Sequence, residues 1–566
     1  MTEKNKEKNL FPGLLQGKSS WLQGLMDLAQ YQVDFAQRSV LFTNALRKRA
    51  NNMLEHHEKG MPPLLAFDHE MIKDGRKLVR PANYALLRII PPDGVEIDGN
   101  KTPVVIFDPR AGHGPGIGGF KRDSEVGMAL LEGHPTYFVI FFPEPCPGQT
   151  LEDVEQAQVL FLEEVANRHR DVGRPIVYGN CQAGWAVAML GADRPDVTGP
   201  IIINGAPMSY WAGEPTENPM RVAGALVGGD WAARLGADLG GGLFDGAWLV
   251  LNFEKLNPAN TLWDKKYGLF RKIDTDEDKF LEFEQWWTGF YQLNKDEIIW
   301  IVQNLFIGDR LEQGILELSP TRKIDMKNLR NPLVIFASSG DNITPPKQAL
   351  DWISEIYPTT EDLKNNGQRI VYMINPHVGH LGIFVSAAVA RREHRAMIEH
   401  IGRIEKLEPG LYEMIIDGET GETDPRKTQF NVRFEERDIL DVTFETNTQV
   451  FDRVATVSKM SGDLYERFVG PSVRAMITPQ AAELLKWMHP GRTSRTVFSD
   501  RLFPAMKILE PLAKIAKSNR VRAGDENPYV QMEKLVAGGV ANWLNLWRDA
   551  RDSWYRIVFQ NLYGSK

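Results

Sequence analysis

The stretch PIVYGNCQAGWAVAML, residues 175–190, decides how the rest of the chain is read. Ile176-Val177-Tyr178 is a short β-rich run, and Trp185 to Leu190 is helix-compatible. Between them, Gly179-Asn180-Cys181-Gln182-Ala183-Gly184 has to turn sharply from strand to helix. A residue at the tip of such a turn takes an unfavourable backbone conformation, and its neighbours pass close to adjacent chain. The small residues Gly179 and Ala183, two before and two after the cysteine, suit that crowding. The pattern is a nucleophile elbow built around a thiol. A buried structural cysteine fits the hexapeptide alone just as well, so its partners must decide.

On the N-terminal side, short apolar runs alternate with turns and helical patterns. Ala85 to Ile90, Val104 to Phe107, Tyr137 to Phe142, Ile176 to Tyr178 and Ile201 to Ile203 are expected strands, with Leu151 to His169 helical between two of them. Their near-continuous apolar character predicts a mostly parallel sheet covered on both faces. From Ala206 to about Met326 the texture becomes Gly-rich and then Trp-rich and helical, before Leu333 to Ala337 and Arg369 to Met373 resume the strand pattern. The middle reads as a cap inserted between strands of one sheet. The expected organisation is an N-terminal helical region (1–75), a core in two parts (76–205 and 328–406), the cap (206–327) and a mainly helical C-terminal domain (407–566).

The later strands carry the partners. Leu333 to Ala337 runs into Ser338-Ser339-Gly340-Asp341-Asn342, and Arg369 to Met373 runs into Ile374-Asn375-Pro376-His377-Val378-Gly379-His380. Nucleophile, acid and histidine, each just beyond a strand and in that chain order, are the arrangement of an α/β-hydrolase fold. Cys181, Asp341 and His380 are therefore the candidate catalytic residues, with His377 the alternative base. His380 would take or share the thiol proton, and Asp341 would hold the imidazole's tautomer and stabilise its cation. The backbone amide of Gln182 is one expected oxyanion donor. The other comes from Asp108-Pro109-Arg110-Ala111-Gly112-His113-Gly114, where Ala111 is preferred over Arg110 and Gly112. His113 and Trp185 are candidate substrate contacts. The glycines from Gly112 to Gly119 lack the Gly-Lys-Ser/Thr ending of a phosphate loop, which argues against nucleotide binding. Cys146, between two prolines, reads as a packing residue, and His56-His57 has no suitable third ligand, so neither a metal nor a resident cofactor is expected.

At 566 residues the chain exceeds a single core, and its composition, 43% hydrophobic and 25% charged, is that of a globular protein. A net charge of -8 gives no basis for binding nucleic acid. Two cysteines suit a reducing compartment, and the polar start and lack of a long apolar run predict a cytoplasmic protein without a transmembrane segment. Two long amphipathic helices are expected. One runs from caps at Ser19 and Ser20 to Gly60, and the other from Asn527-Pro528 to Gly564. Their wide apolar faces read by default as surfaces for packing or self-association.

At its motifs the chain resembles the poly(3-hydroxyalkanoate) synthases, especially the short synthases that work with a separate helical subunit. Their Gly-x-Cys-x-Gly-Gly elbow is matched by Gly179, Cys181 and Gly184, their acid turn by Gly340 to Pro346, and their Gly-His-x-Gly loop by Gly379 to Gly382. Asn252-Phe253 with Leu256-Asn257-Pro258, and Phe290-Tyr291-Gln292 with Asn294-Lys295, look like their cap. The resemblance covers about residues 80 to 400; Ala183 departs from the first elbow glycine, and the segment after Leu407 is foreign to those short enzymes. It implies transfer of 3-hydroxyacyl groups from coenzyme A, the thioester being substrate, through Cys181 to a hydroxyl of a growing polyester. A thioesterase or esterase on the same residues, and a non-catalytic granule-associated protein, are the competing readings.

Overall fold

The computed structural model describes residues 20–311, 313–420, 428–444 and 448–564. Ten strands form one sheet: β1 (His69–Asp74), β2 (Tyr84–Ile89), β3 (Val104–Phe107), β4 (Thr136–Phe141), β5 (Ile176–Asn180), β6 (Ile201–Asn204), β7 (Leu333–Ser338), β8 (Arg369–Asn375), β9 (Gly410–Glu419) and β10 (Phe430–Arg437). Their spatial order is β1-β2-β4-β3-β5-β6-β7-β8-β9-β10. The strands from β4 across to β9 run parallel, and β1, β2 and β10 supply the antiparallel pairings at the two edges. This is an α/β-hydrolase fold. Every residue of β3, β4, β5, β6 and β7 is buried, as continuous apolar runs covered on both faces require.

Six helices matter below: α1 (Ser20–Glu58), α2 (Glu125–Leu131), α3 (Leu151–Arg168), α4 (Gln182–Asp193), α5 (His380–Val385) and α6 (Pro528–Tyr563). The crossovers start on sound caps. Ser124 accepts the Gly127 amide ahead of α2, and Thr150 and Asp153 form a reciprocal capping box at α3. The expected cap at Ser19 lies outside the described residues.

β4 lies on one side of β3 and β5 on the other, so the connections after β3 and β5 leave a crevice at the carboxyl edge of the sheet. The register sets the strand ends level there. Phe107 pairs with Gly179, Asn180 with Asn204, Asn204 with Phe336, and Ser338 with Asn375. The loops that follow β3, β5, β7 and β8 thus start side by side.

The chain divides into two compact units, one of residues 1–54, 257–284 and 494–549, the other of residues 55–256, 285–493 and 550–566. The first buries Leu41, Ala45 and Leu46 of α1 with Leu269, Ile273, Phe280, Ala513 and Ala516. Arg38 there is bonded to Asp34 and, through both terminal nitrogens, to Glu533. The second unit holds the sheet.

Two expected boundaries shift. The insertion of 206–327 is divided, because the apolar stripe of 257–284 is covered by α1 and the 494–549 segment rather than by the sheet. The boundary at 407 falls before the sheet ends, since β9 pairs with β8 and β10 pairs with β9. Beyond Val442 the described residues form helices joined by turns and carry no strand. Among the described residues, no helix is long and apolar enough to cross a membrane.

Candidate active site

Cys181 stands between β5 and α4 with φ 48° and ψ -115°, left-handed backbone that a β-carbon makes costly. Its amide donates to the Asn204 carbonyl at 2.8 Å, and its carbonyl accepts the Gly184 amide at 2.9 Å. Crowding explains the small neighbours. A β-carbon on Gly179 would stand 2.4 Å from the Val187 side chain and 2.8 Å from the Ala183 carbonyl oxygen, and one on Gly184 would stand 2.3 Å from the Ala206 β-carbon. Ala183 itself is buried in the main core with its methyl accommodated. Of the elbow's last two small residues, close packing demands glycine at 184, which the chain retains. Gly184→Val is expected to destabilise the protein by about 3 kcal/mol or more, read from denaturant unfolding, because backbone and core would both have to move.

The acid turn is built to present one carboxylate oxygen. Asp341 Oδ1 accepts the amides of Ile343 at 2.8 Å and Thr344 at 2.9 Å, which leaves Oδ2 for the His380 Nδ1 at 2.7 Å. A β-carbon on Gly340 would lie 2.4 Å from the His377 carbonyl oxygen, so the acid turn and the histidine loop are in direct backbone contact. Ser338 ties them further, its hydroxyl oxygen lying 2.5 Å from the Val378 carbonyl oxygen and 3.0 Å from that of Asn375, with one proton to give between them. Asn375 Oδ1 accepts the amides of His377 and Val378, each at 3.0 Å, and turns the loop.

His380 opens α5, and its Nε2 lies 3.3 Å from the Cys181 sulfur. Carboxylate, imidazole and thiol are in line and buried, with 3%, 7% and 5% of their surfaces exposed. A carboxylate can only accept, so Nδ1 donates to Asp341 and Nε2 faces the sulfur. Burial pushes the His380 imidazole down, but the Asp341 charge, then the Cys181 sulfur and the hydrogen bonds to both, outweigh it and raise it to about 10. The imidazole therefore holds its proton at neutral pH, beside the sulfur. His377, the alternative base, is exposed and supplies backbone contacts.

The loop after β3 is organised by Asp108. Its carboxylate accepts the amides of Ile117 at 2.7 Å, Gly118 at 3.1 Å and Gly116. The glycines that resemble a phosphate loop therefore wrap an acid of the chain itself. Burial raises Asp108 to about 6 against those amides, which pull it the other way. Residues 289–291 hold the loop from outside: the Gly114 amide donates to the Gly289 carbonyl, and the Tyr291 amide to the Gly112 carbonyl. Gly112 has φ 103°, and a β-carbon there would stand 2.3 Å from the Gly246 carbonyl oxygen.

Ala111 is buried in this loop, and Gln182 is the first residue of α4, where an amide has no acceptor within the helix. They follow the paired strands β3 and β5. His113 is buried, its ring centroid 4.2 Å from that of Trp286, whose indole N–H donates to the Gly114 carbonyl. Burial lowers His113 to about 4, and the charge on His380 acts in the same direction, so the ring is neutral. Its Nδ1 meets the Gly114 carbonyl at 3.2 Å, which leaves Nε2 an acceptor. Trp185 packs in the main core, with its indole N–H on Gln182 Oε1 at 2.7 Å. Cys146 is half-buried away from any elbow, and burial pushes its thiol up.

The family described as "Protein of unknown function (DUF3141)" matches residues 34–566. The chain belongs to that family. Within reach of the DUF3141 chain is a Rhizobium meliloti protein named "Uncharacterized protein in ackA 5'region", 45% identical over 550 residues, which are 96% of this chain and 75% of the relative. Solved structures similar to this DUF3141 chain include a Paleococcus ferrophilus monoacylglycerol lipase, 14% identical, with 57% of this chain and 99% of that one covered at a TM-score of 0.31. Another is the naproxen esterase of Bacillus subtilis, 11% identical, with 61% and 96% covered at a TM-score of 0.34.

Proposed function

We propose that the protein is an acyltransferase of the poly(3-hydroxyalkanoate) synthase type, which takes a 3-hydroxyacyl group from coenzyme A onto Cys181 and passes it to a hydroxyl. The in-line Asp341, His380 and Cys181, with a thiol at the tip, carries this reading. The Cys181 sulfur attacks the thioester carbonyl, a new carbon–sulfur bond forms, and the coenzyme A thiolate leaves with the proton held by His380. One thioester replaces another of similar energy, so the acyl group stays activated. His380 then takes the proton of an incoming hydroxyl as its oxygen attacks; a carbon–oxygen bond forms, the carbon–sulfur bond breaks, and an ester results.

The supporting cast suits that sequence of steps. The amides of Gln182 and Ala111 are the donors for the oxyanion of each tetrahedral intermediate, where one such donor is worth ~100- to 1,000-fold in rate. Neutral His113 offers an acceptor for a substrate hydroxyl. The burial of the thiol favours transfer over loss of the acyl group to water.

Intact-mass measurement after incubation with 3-hydroxybutyryl-coenzyme A tests the proposal. The expected result is a hydroxybutyryl adduct on Cys181, release of coenzyme A and accumulation of polymer. Release of coenzyme A with free hydroxyacid and no polymer would replace the transferase with a thioesterase, and neither adduct nor release would overturn both.

A further inference from the structure

Directly behind the elbow lies a group of polar side chains that the transfer steps do not use. Glu125, in the first turn of α2, Asn180 of β5, Asn204 of β6 and His394 are each wholly buried. The Asn180 side-chain amide donates to Glu125 Oε2, and that of Asn204 to Glu125 Oε1 at 3.2 Å. Asn204 also donates to Asn180 Oδ1 at 3.1 Å. Both asparagines control the elbow: Asn180 immediately precedes Cys181, and the Asn204 carbonyl accepts the Cys181 amide. On the other side, His394 Nε2 stands 3.7 Å from Glu125 Oε1 and donates to the Ile383 carbonyl at 2.7 Å. Ile383 is in α5, three residues beyond His380.

We propose that Glu125 and His394, which do not touch the reacting atoms, are positioning residues that lock the Cys181 elbow to the His380 helix. The bridge runs from the two asparagines through Glu125 and His394 to the α5 backbone. It rests on the reading that Cys181 and His380 are the reactive pair. A core filled with apolar side chains would be more stable here than one that buries a carboxyl, two amides and an imidazole, with Tyr178 Oη, Asn204 Oδ1 and His394 Nδ1 left unpartnered. The chain carries that cost at the one place where both halves of the site can be gripped at once. Burial raises Glu125 to about 8 and lowers His394 to about 4, so the two meet as a packed contact at 3.7 Å, with the hydrogen bonds to the asparagines and to Ile383 at either end of it. There is no slack for another occupant near the loop, since a β-carbon on Gly118 would stand 2.8 Å from Glu125 Oε2.

The test reads the thiol rather than turnover. Alkylation of Cys181 by iodoacetamide is followed against pH in the full-length protein, with peptide masses separating Cys181 from Cys146. Glu125→Asp and His394→Asn withdraw the side chain's reach while keeping its polarity, whereas His394→Gln preserves reach and a donor for the Ile383 carbonyl. The shortened variants are expected to alkylate about tenfold more slowly at pH 7, and His394→Gln to stay within about threefold of the wild type. Shortening either residue breaks the bridge, so a single folded shortened variant suffices. Shortened variants that alkylate at the wild-type rate, or a His394→Gln protein as slow as His394→Asn, would overturn the bridge while leaving the reactive pair standing. A His380→Gln protein that alkylates like the wild type would sink the reactive pair itself, and the bridge with it.

Discussion

Cys181→Ala is expected to abolish acyl-enzyme formation and to lower turnover of a 3-hydroxyacyl-coenzyme A by about 10,000-fold or more, as removal of a nucleophile from a cooperating set does. Thermal unfolding should change little, because alanine keeps the β-carbon at the same left-handed position and the Asn204 carbonyl still receives the residue's amide. Residual activity near the wild-type level would remove Cys181 from the chemistry. Cys181→Ser separates nucleophilicity from thioester energy. Its oxygen can occupy the elbow, but an acyl-serine is an ordinary ester and gives up the activation that the next hydroxyl needs. It should form little adduct and no polymer, measured by intact mass and by coenzyme A release.

Asp341→Asn is expected to cost about 10,000-fold in kcat/KM with the fold intact. The asparagine oxygen can still accept the amides of Ile343 and Thr344, so its NH2 would face His380 Nδ1. Nδ1 must then become an acceptor, which sends the ring proton to Nε2, the atom that faces the sulfur. The imidazole also loses the charge that raises it to about 10 against burial, so its pKa falls. The sign follows. In the wild type the imidazole keeps its proton at neutral pH, whereas in the variant the ring is neutral there. The limb of the activity profile set by His380 should therefore move to lower pH. An unchanged profile with reduced rate would mean that Asp341 acts only on the fold.

Much of this site is visible in the linear sequence because its chemistry depends on local patterns. Cys181, Asp341 and His380 each follow a compact apolar run, and the glycines beside them mark backbone that cannot accept a side chain. The two terminal helices are legible for the same reason, since caps, proline placement and an apolar stripe of period 3.6 are properties of neighbouring residues. The choice between His377 and His380 is not local. Both lie in one loop, and only the contact of the His377 carbonyl with Gly340 and the seating of His380 on α5 separate them.

The bridge residues gave no signal at all in the sequence. Glu125 reads as an acidic residue in a helix's first turn, which is its commonest setting, and His394 as one more charged position in a basic run. The role of Asp108 is equally hidden, because the amides it gathers come from residues eight to ten further on. What the sequence by itself determined is the strand-to-helix elbow, the order of thiol, acid and histidine, and the alternation of elements that makes a covered parallel sheet. All of these follow from side-chain size and periodicity within a few residues. Only the tertiary structure decided that the insertion is shared between two units, that β9 and β10 extend the sheet, and that Ala183 finds room where Gly184 could not be replaced. Those outcomes depend on which distant surface reaches a given apolar stripe or a given β-carbon, a fact that no local pattern contains.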